Sequence, residues 1–549
     1  MLDFENQMFL DILNEDGLVV AAKGIGLENV FINLLKVYSD PGNLVLILGT
    51  SSQEEEFFIS ELDNMGVKPL PKLLTSEFSV NDRNSIYLEG GVIFSSSRIL
   101  VVDMLMNRVP IDLVTGVLVY KAHKVIETSQ EAFILRLYRQ KNKKGFIKAF
   151  SSSPISFTRG FSQVNRVMRS LYVRNLFLWP RFHATIQSTL KQHQPDVIEL
   201  RLPLTSSLVT IQTAILDLIQ FSVKELKRIN PSLDLDEMTV ENALSKCFRK
   251  IIKSQVEPVW HQYDCVTYNI VVKSLKTTEK ALKNSGWMLL DAAETLFITA
   301  KARVFGVSAE PDAEPPLEEN PKWTALLEVM KEIQAEIVKT PEEDETKVTK
   351  KILIVAEDDR TCFQIRQVLE TGPRALLTRF LEKYRRSKEE NQKLGHGIKR
   401  KSTELEPEVE PLSEDIIILP LRGSADPFIL NKALNNQRPR FIIMYDCDVA
   451  FVRQVEVYQA THFEQLVRVY FLVYDASAEE QSYLTNLRRE KEAFEMLIRE
   501  KATMVIPEER EGRTDDHPDF VRDSRKASEM AYVPADTREM SKKEIRQGH

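Results

Sequence analysis

The sequence predicts an α/β protein in which two parallel-sheet domains flank an all-helical domain. Three observations carry this reading. Up to Pro180, short apolar runs rich in β-branched residues alternate with helical and turn patterns, the spacing of a doubly wound parallel sheet. Between Gln194 and Phe305 the β-runs disappear, and apolar residues recur at helical spacing over Leu208 to Leu226 and Tyr263 to Leu282. From Lys351 onward the alternation of strand and helix resumes.

Composition bounds the function. A chain of 549 residues holds about three or four domains, and an apolar content of 43% is enough for their cores. A net charge of -7 and a pI near 5.8 give no global nucleic-acid signature, so any such site must be a local patch. Cys247, Cys265, Cys362 and Cys447 are far apart, show no metal-ligand spacing, and read as reduced intracellular core residues. No window approaches 18 uncharged apolar residues and no basic region precedes the apolar N-terminus, so neither a membrane span nor a signal peptide is expected.

In chain order, Leu18 to Glu28 (LVVAAKGIGLE) reads as strand, Gly-rich turn and helix start, the setting of a phosphate-binding loop. Against the pattern G-x-x-x-x-G-K-[ST], Ala21 takes the first glycine and Gly26 the second, with Gly24 between them. Leu27 and Glu28 then stand where the lysine and the metal-binding hydroxyl belong. Leucine offers no charge to phosphate oxygens and glutamate repels them, so the frame remains without the chemistry. Taken alone, the segment is better read as an ordinary βα turn. Further strands are expected at Leu44 to Leu48, Gly91 to Phe94, Ile99 to Asp103, Gly116 to Tyr120 and Gly145 to Phe150.

The turns that follow these runs resemble the first RecA-like domain of a superfamily 2 DNA helicase. Its DEAH box would fall on Tyr120 to His123, with Tyr120 and Lys121 replacing the two acids, and its threonine turns on Ser95 to Ser97 and Ser151 to Pro154. The strings GGVIFSSSRILVVDML, EAFILRLYRQKNKKGFIKAF and LWPRF closely resemble the XPF family of structure-specific DNA repair endonucleases, in which this helicase region is retained but inactive. The resemblance implies two degenerate RecA-like domains, at 1–190 and at 321–383 with 415–506. It also implies a helical domain at 191–305 that grips DNA and docks a nuclease scaffold protein. The pattern departs from the family at Trp260-His261-Gln262-Tyr263, where a further helical stretch is expected.

Residues 306–320 are acidic and Pro-rich and read as a linker; the blocky charge of 384–414 and the polar tail 507–549 read as disordered. Lys399-Arg400-Lys401 fits a nuclear import signal or a solvated loop, and the resemblance implies a nuclear protein. In the second domain the family's arginine-rich box aligns with Glu456 to Phe463 (EVYQATHF), which supplies no arginine to a γ-phosphate. The family's Mg²⁺-dependent nuclease site, G-D-x(n)-E-R-K-x-x-x-D, has no counterpart, so no cofactor, metal ligand or catalytic residue is expected in this chain. The small subunit of the heterodimer, which docks on a helix-hairpin-helix domain, is not expected to bind.

Binding is what remains. Arg136, Arg139, Lys141, Lys143, Lys144 and Lys148 are interleaved with Tyr138 and Phe146, and Arg166, Arg169, Arg174 and Arg181 follow among Tyr172, Phe177, Trp179 and Phe182. Cations neutralise phosphates and aromatic faces stack on exposed bases, a combination suited to single strands and forks. A solvated loop over buried aromatics gives the same pattern. The resemblance implies a DNA-binding and partner-docking region of an endonuclease that acts in nucleotide excision and crosslink repair, incising on the 5′ side of damage at duplex/single-strand junctions. The alternative is a nucleic-acid-stimulated NTPase or translocase with an unorthodox site.

Overall fold

A computed structural model describes residues 1–158, 163–229, 239–240, 290–305, 317–339, 350–393, 415–424, 426–514 and 517. The chain divides into two compact units, Met1–Gln192 joined by the chain from Glu490 onward, and His193–Arg489.

The first unit runs α1 (Asp3–Asn14), β1 (Gly17–Ala21), α2 (Leu27–Tyr38), β2 (Leu44–Leu48), α3 (Ser52–Asn64), β3 (Lys72–Leu74), α4 (Val80–Glu89), β4 (Gly91–Ser95) and α5 (Ser97–Leu105). It continues with β5 (Gly116–Val119), α6 (Gln130–Lys141), β6 (Phe146–Ser151), α7 (Gln163–Leu171), β7 (Asn175–Trp179) and α8 (Ala184–Gln192). Its seven strands are parallel in the order β3-β4-β2-β5-β6-β1-β7. Strands β1, β2, β4 and β5 are buried at every residue, as expected for a sheet covered by helices on both faces.

The second unit holds β8 (Asp196–Leu202), α9 (Ser206–Ile229), α10 (Asp291–Phe305), α11 (Pro321–Lys339), β9 (Ile352–Ala356), α12 (Asp359–Thr371) and α13 (Pro373–Lys393). After these come β10 (Ile416–Pro420), α14 (Ile429–Gln437), β11 (Phe441–Met444), α15 (Val449–Thr461) and β12 (Arg468–Tyr474). Its sheet is parallel, in the order β10-β9-β11-β12-β8. Alternation along β9 feeds two cores. Ile352, Ile354 and Ala356 join Leu326, Met330 and Ile333 of α11, whereas Leu353 and Val355 join Phe451, Val455 and Tyr458 of α15. The last helix, α16 (Ala478–Thr503), starts in the second unit and ends in the first.

Several sequence expectations need correction. Ile99 to Asp103 is not a strand but the middle of α5. Ser96 caps this helix by accepting from the Ile99 amide, and helical spacing buries Leu100, Asp103 and Met104. The fully buried Asp103 carboxylate is satisfied by Tyr87, Arg83 and Arg108 at 3.1 to 3.3 Å. The stretch from Gln194 is not free of β-structure: β8 pairs with β12, and Ile198, Leu200 and Leu202 turn to the α11 core. Strands β3 and β7 are additions to the expected set. Helix α13 extends to Lys393, into the stretch assigned to a disordered linker, while Lys399 to Lys401 and Trp260 to Tyr263 lie outside the described residues. Ser206–Glu225 within α9 is long and apolar enough to cross a membrane by length and composition alone, a test that core helices also pass.

Candidate functional site

Strand β1 ends in the Gly-rich loop that the sequence aligns with a phosphate-binding frame. Gly24 and Gly26 have φ of 91° and 84°, the left-handed region, and Gly26 opens α2. The loop is filled from within. The buried Glu5 carboxylate accepts from Asn29 Nδ2 at 2.8 Å and from the Leu2 amide at 2.9 Å, and a Cβ on Gly26 would stand 2.3 Å from its Oε1. Burial raises the Glu5 pKa against the lowering effect of these two bonds. Leu27 is buried, so the position of the missing lysine points into the core. The Glu28 carboxyl is also raised by burial, with Lys23 opposing.

The turn after β5 closes the other side. Tyr120 is buried, its ring 5.0 Å from that of Phe31 and 5.4 Å from that of Phe58. Lys121, at φ 59°, places Nζ 2.5 Å from Oε1 and 2.7 Å from Oε2 of Glu54 at the start of α3. Gly49 is required beneath this turn, because a Cβ there would meet the Tyr120 carbonyl oxygen at 2.1 Å. His123 Nδ1 lies 2.8 Å from Ser151 Oγ, linking the β5 and β6 turns. The structure thus brings Gly24, Gly26, Leu27, Glu28, Tyr120 and Lys121 to one sheet edge. There Lys121 pairs with Glu54, and Tyr120 packs on Phe31 and Phe58. Among the described residues no group of three or more His, Cys, Asp or Glu side chains is placed to hold a metal ion.

In the second unit, Glu456 to Thr461 belongs to α15, with Val457, Tyr458, Gln459 and Ala460 buried. Gln459 accepts from the Val467 amide at 2.7 Å and ties the helix to β12.

The basic-aromatic cluster separates into two sets. Tyr138, Arg139 and Lys148 are buried, which corrects their assignment to an exposed DNA surface. Arg139 Nη1 donates to the Gly145 carbonyl at 2.6 Å and Nη2 lies 3.6 Å from Asp16. Lys148 Nζ donates to the Leu13 and Glu15 carbonyls at 3.2 and 3.3 Å and stands 3.5 Å from Asp16. Burial lowers the pKa of both cations and the Asp16 charge opposes the shift. Phe146 is half-buried, its ring 4.7 Å from that of Tyr38 and packed on Gly116. Arg136, Lys141 and Lys144 remain exposed; Lys141 donates to Asn107 Oδ1 at 2.5 Å, and the half-buried Lys143 to the Thr514 carbonyl at 3.3 Å.

This second set lies near the N-terminal edge of the first sheet, opposite the nucleotide-type loop. Lys143 and Lys144 precede β6, Asp16 precedes β1 and Arg174 precedes β7, on three neighbouring strands. Sequence reasoning missed Asp16 as the hub of this edge. Its carboxylate accepts from the Ile147 amide and from Arg513, in addition to facing Arg139 and Lys148. The acidic turn before β1 was the available signal. The chain after Pro507, read as a disordered tail, forms a short 3-10 turn at Glu508–Glu511, and His517 is buried against Tyr172.

No family model matches the chain. It is similar to the mouse DNA repair endonuclease XPF, with 40% identity over 98% of this chain and 72% of the relative. That match runs over 664 positions, more than the 549 residues here, so the mouse protein carries segments within the matched range that this chain lacks. The fission yeast DNA repair protein rad16 is 32% identical over 92% of this chain and 69% of its own length. The fold is similar to that of the crystal structure of the Pyrococcus furiosus Hef helicase domain, at a TM-score of 0.51 and 12% identity, covering 88% of this chain and 98% of that one. The helicase-type fold and the 40% identity along nearly its whole length place this chain in the XPF family of DNA repair endonucleases.

Proposed function

We propose that this chain is the DNA-binding, partner-docking helicase-like region of an XPF-type endonuclease, and that it holds forked or single-stranded DNA without turning over nucleotide. The observation that carries the reading is the self-satisfied nucleotide edge: Lys121 is committed to Glu54, Tyr120 to Phe31 and Phe58, and Glu5 to the loop under Gly26. A fold built around a phosphate-binding frame that its own side chains fill has kept its surfaces and lost its fuel site. Arg136, Lys141 and Lys144 are exposed cations of this cluster, which supports contact with phosphates. Exposed apolar residues on α9 and α10, including Val209, Ile215 and Ile298, support docking of a scaffold protein.

In this reading the protein works in the nucleus in nucleotide excision and crosslink repair. The small subunit and the Mg²⁺ of the family nuclease act elsewhere than on the residues described. The test pairs a phosphate-release assay with fluorescence anisotropy on a splayed-arm DNA and a blunt duplex. No DNA-stimulated release and a preference for the fork are expected. DNA-stimulated ATP hydrolysis would favour the translocase alternative, and equal affinity for fork and duplex would remove the fork-holding role.

A further inference from the structure

A cavity of about 260 Å³ opens at the N-terminal edge of β7, lined by Glu15, Arg174, Asn175, Leu176, Phe177, Lys501 and Met504. Its chemistry is mixed in a specific way. Two cations, Arg174 and Lys501, line it together with the aromatic ring of Phe177. Phe177 is seated against Gly17, where a Cβ would stand 2.7 Å from the ring, so the glycine lets the ring lie on β1. Glu15 is held by Asn175 Nδ2 at 3.0 Å. The guanidinium of Arg174 is gripped on two sides by carboxylates from the chain that follows α16: Nη1 lies 2.8 Å from Glu508 and Nε 2.8 Å from Glu511. Two acid groups converging on one guanidinium reproduce the oxygen arrangement that a phosphate presents to arginine. The Glu508 side chain is 82% exposed, and exposed pairs of this kind contribute little to stability, so a nucleic-acid phosphate can displace it.

We propose that this cavity is a subsite for one nucleotide of single-stranded nucleic acid, with Arg174 and Lys501 taking phosphate and Phe177 the base, and that Glu508 and Glu511 hold Arg174 in its absence. The inference rests on the DNA-binding reading above and extends it along the same sheet edge from Lys143 and Lys144. The acidic segment acts as an internal competitor.

The test is anisotropy of a fluorescein-labelled oligothymidylate titrated with the whole chain at several salt concentrations. Glu508→Gln with Glu511→Gln should tighten binding about threefold at low salt and steepen the log-log salt slope by about 0.7, the increment for one more phosphate neutralised. Adding Arg174→Ala should erase both changes. Phe177→Leu should weaken binding at least about fivefold with the slope unchanged. If the double glutamine variant binds like wild type while Lys141→Ala with Lys144→Ala weakens binding, the subsite is wrong and the DNA reading stands. If the glutamine variant gains affinity through Arg174 and the Lys141/Lys144 change has no effect, the subsite stands and the lysine cluster falls. Absence of binding by wild type and by the glutamine variant overturns both.

Discussion

Lys121 Nζ is 2.5 and 2.7 Å from the two carboxylate oxygens of Glu54, an ion pair that joins the β5 turn to the first turn of α3. The Glu54 side chain is almost wholly buried and Lys121 is largely so, which makes the pair internal wiring of the first unit. Lys121→Met would leave a buried carboxylate without its cation. It should destabilise the first unit by about 1 to 2 kcal/mol after allowance for the partial exposure of the lysine, seen as a lower urea midpoint at unchanged slope.

Restoring the motif letters should not restore the activity. Leu27→Lys together with Glu28→Thr rebuilds the end of the phosphate loop, yet Glu5, Tyr120 and the Lys121–Glu54 pair still fill the edge. Phosphate release from ATP should stay at background with and without DNA. Stimulated turnover by this double variant would show that the two substitutions alone had silenced the site.

What was legible in the sequence was local. Leu44 to Leu48 and the apolar run ending β1 announced buried parallel strands because nearly continuous apolar runs have no other home. Ile99 to Asp103 misled because its β-branched residues resemble a strand, whereas the deciding facts are the Ser96 cap and a buried Asp103 whose partners come from α4 and the turn after α5. Strand β8 was readable as a strict alternation, Val197, Glu199 and Arg201 against Ile198, Leu200 and Leu202, but it sits alone beside helical sequence. The departure from the nucleotide-site pattern was visible in Leu27, Glu28, Tyr120 and Lys121. That Glu5 and Glu54 complete the closure was not, since both pairings cross many residues of chain.

Acid should weaken the first unit through His183. Burial lowers the pKa of this imidazole from its ordinary 6.5, with Asp11 opposing, and its ring lies 4.6 Å from that of Trp179. A folded-state pKa below the unfolded one means that the unfolded chain binds more protons between the two values. The stability contribution is therefore present above pH 6.5 and lost as pH falls through the folded value. The ring is only half-buried, so the loss should be about half a kcal/mol. Thermal melts at pH 7.5 and 5.5 should show a drop that His183→Gln reduces; an identical drop in the variant would assign it to other groups.

The cluster around α6 and β6 should split by burial, and this is the sharpest check on which cations face DNA. Arg139 and Lys148 are held by backbone carbonyls and Asp16, so removing Arg139 takes the donor from the buried Gly145 carbonyl and leaves Asp16 to Lys148 and Arg513. Arg139→Ala should cost about 1 to 3 kcal/mol, read as a lower urea midpoint. Lys141 and Lys144 are exposed. Their joint replacement by alanine should leave the urea midpoint within experimental error, while weakening DNA binding uniformly across sequences and flattening the log-log salt slope by about 0.7 for each phosphate no longer neutralised. A stable Arg139→Ala protein that has lost DNA affinity would reverse the assignment and put the buried guanidinium, once released from Asp16, at the DNA surface.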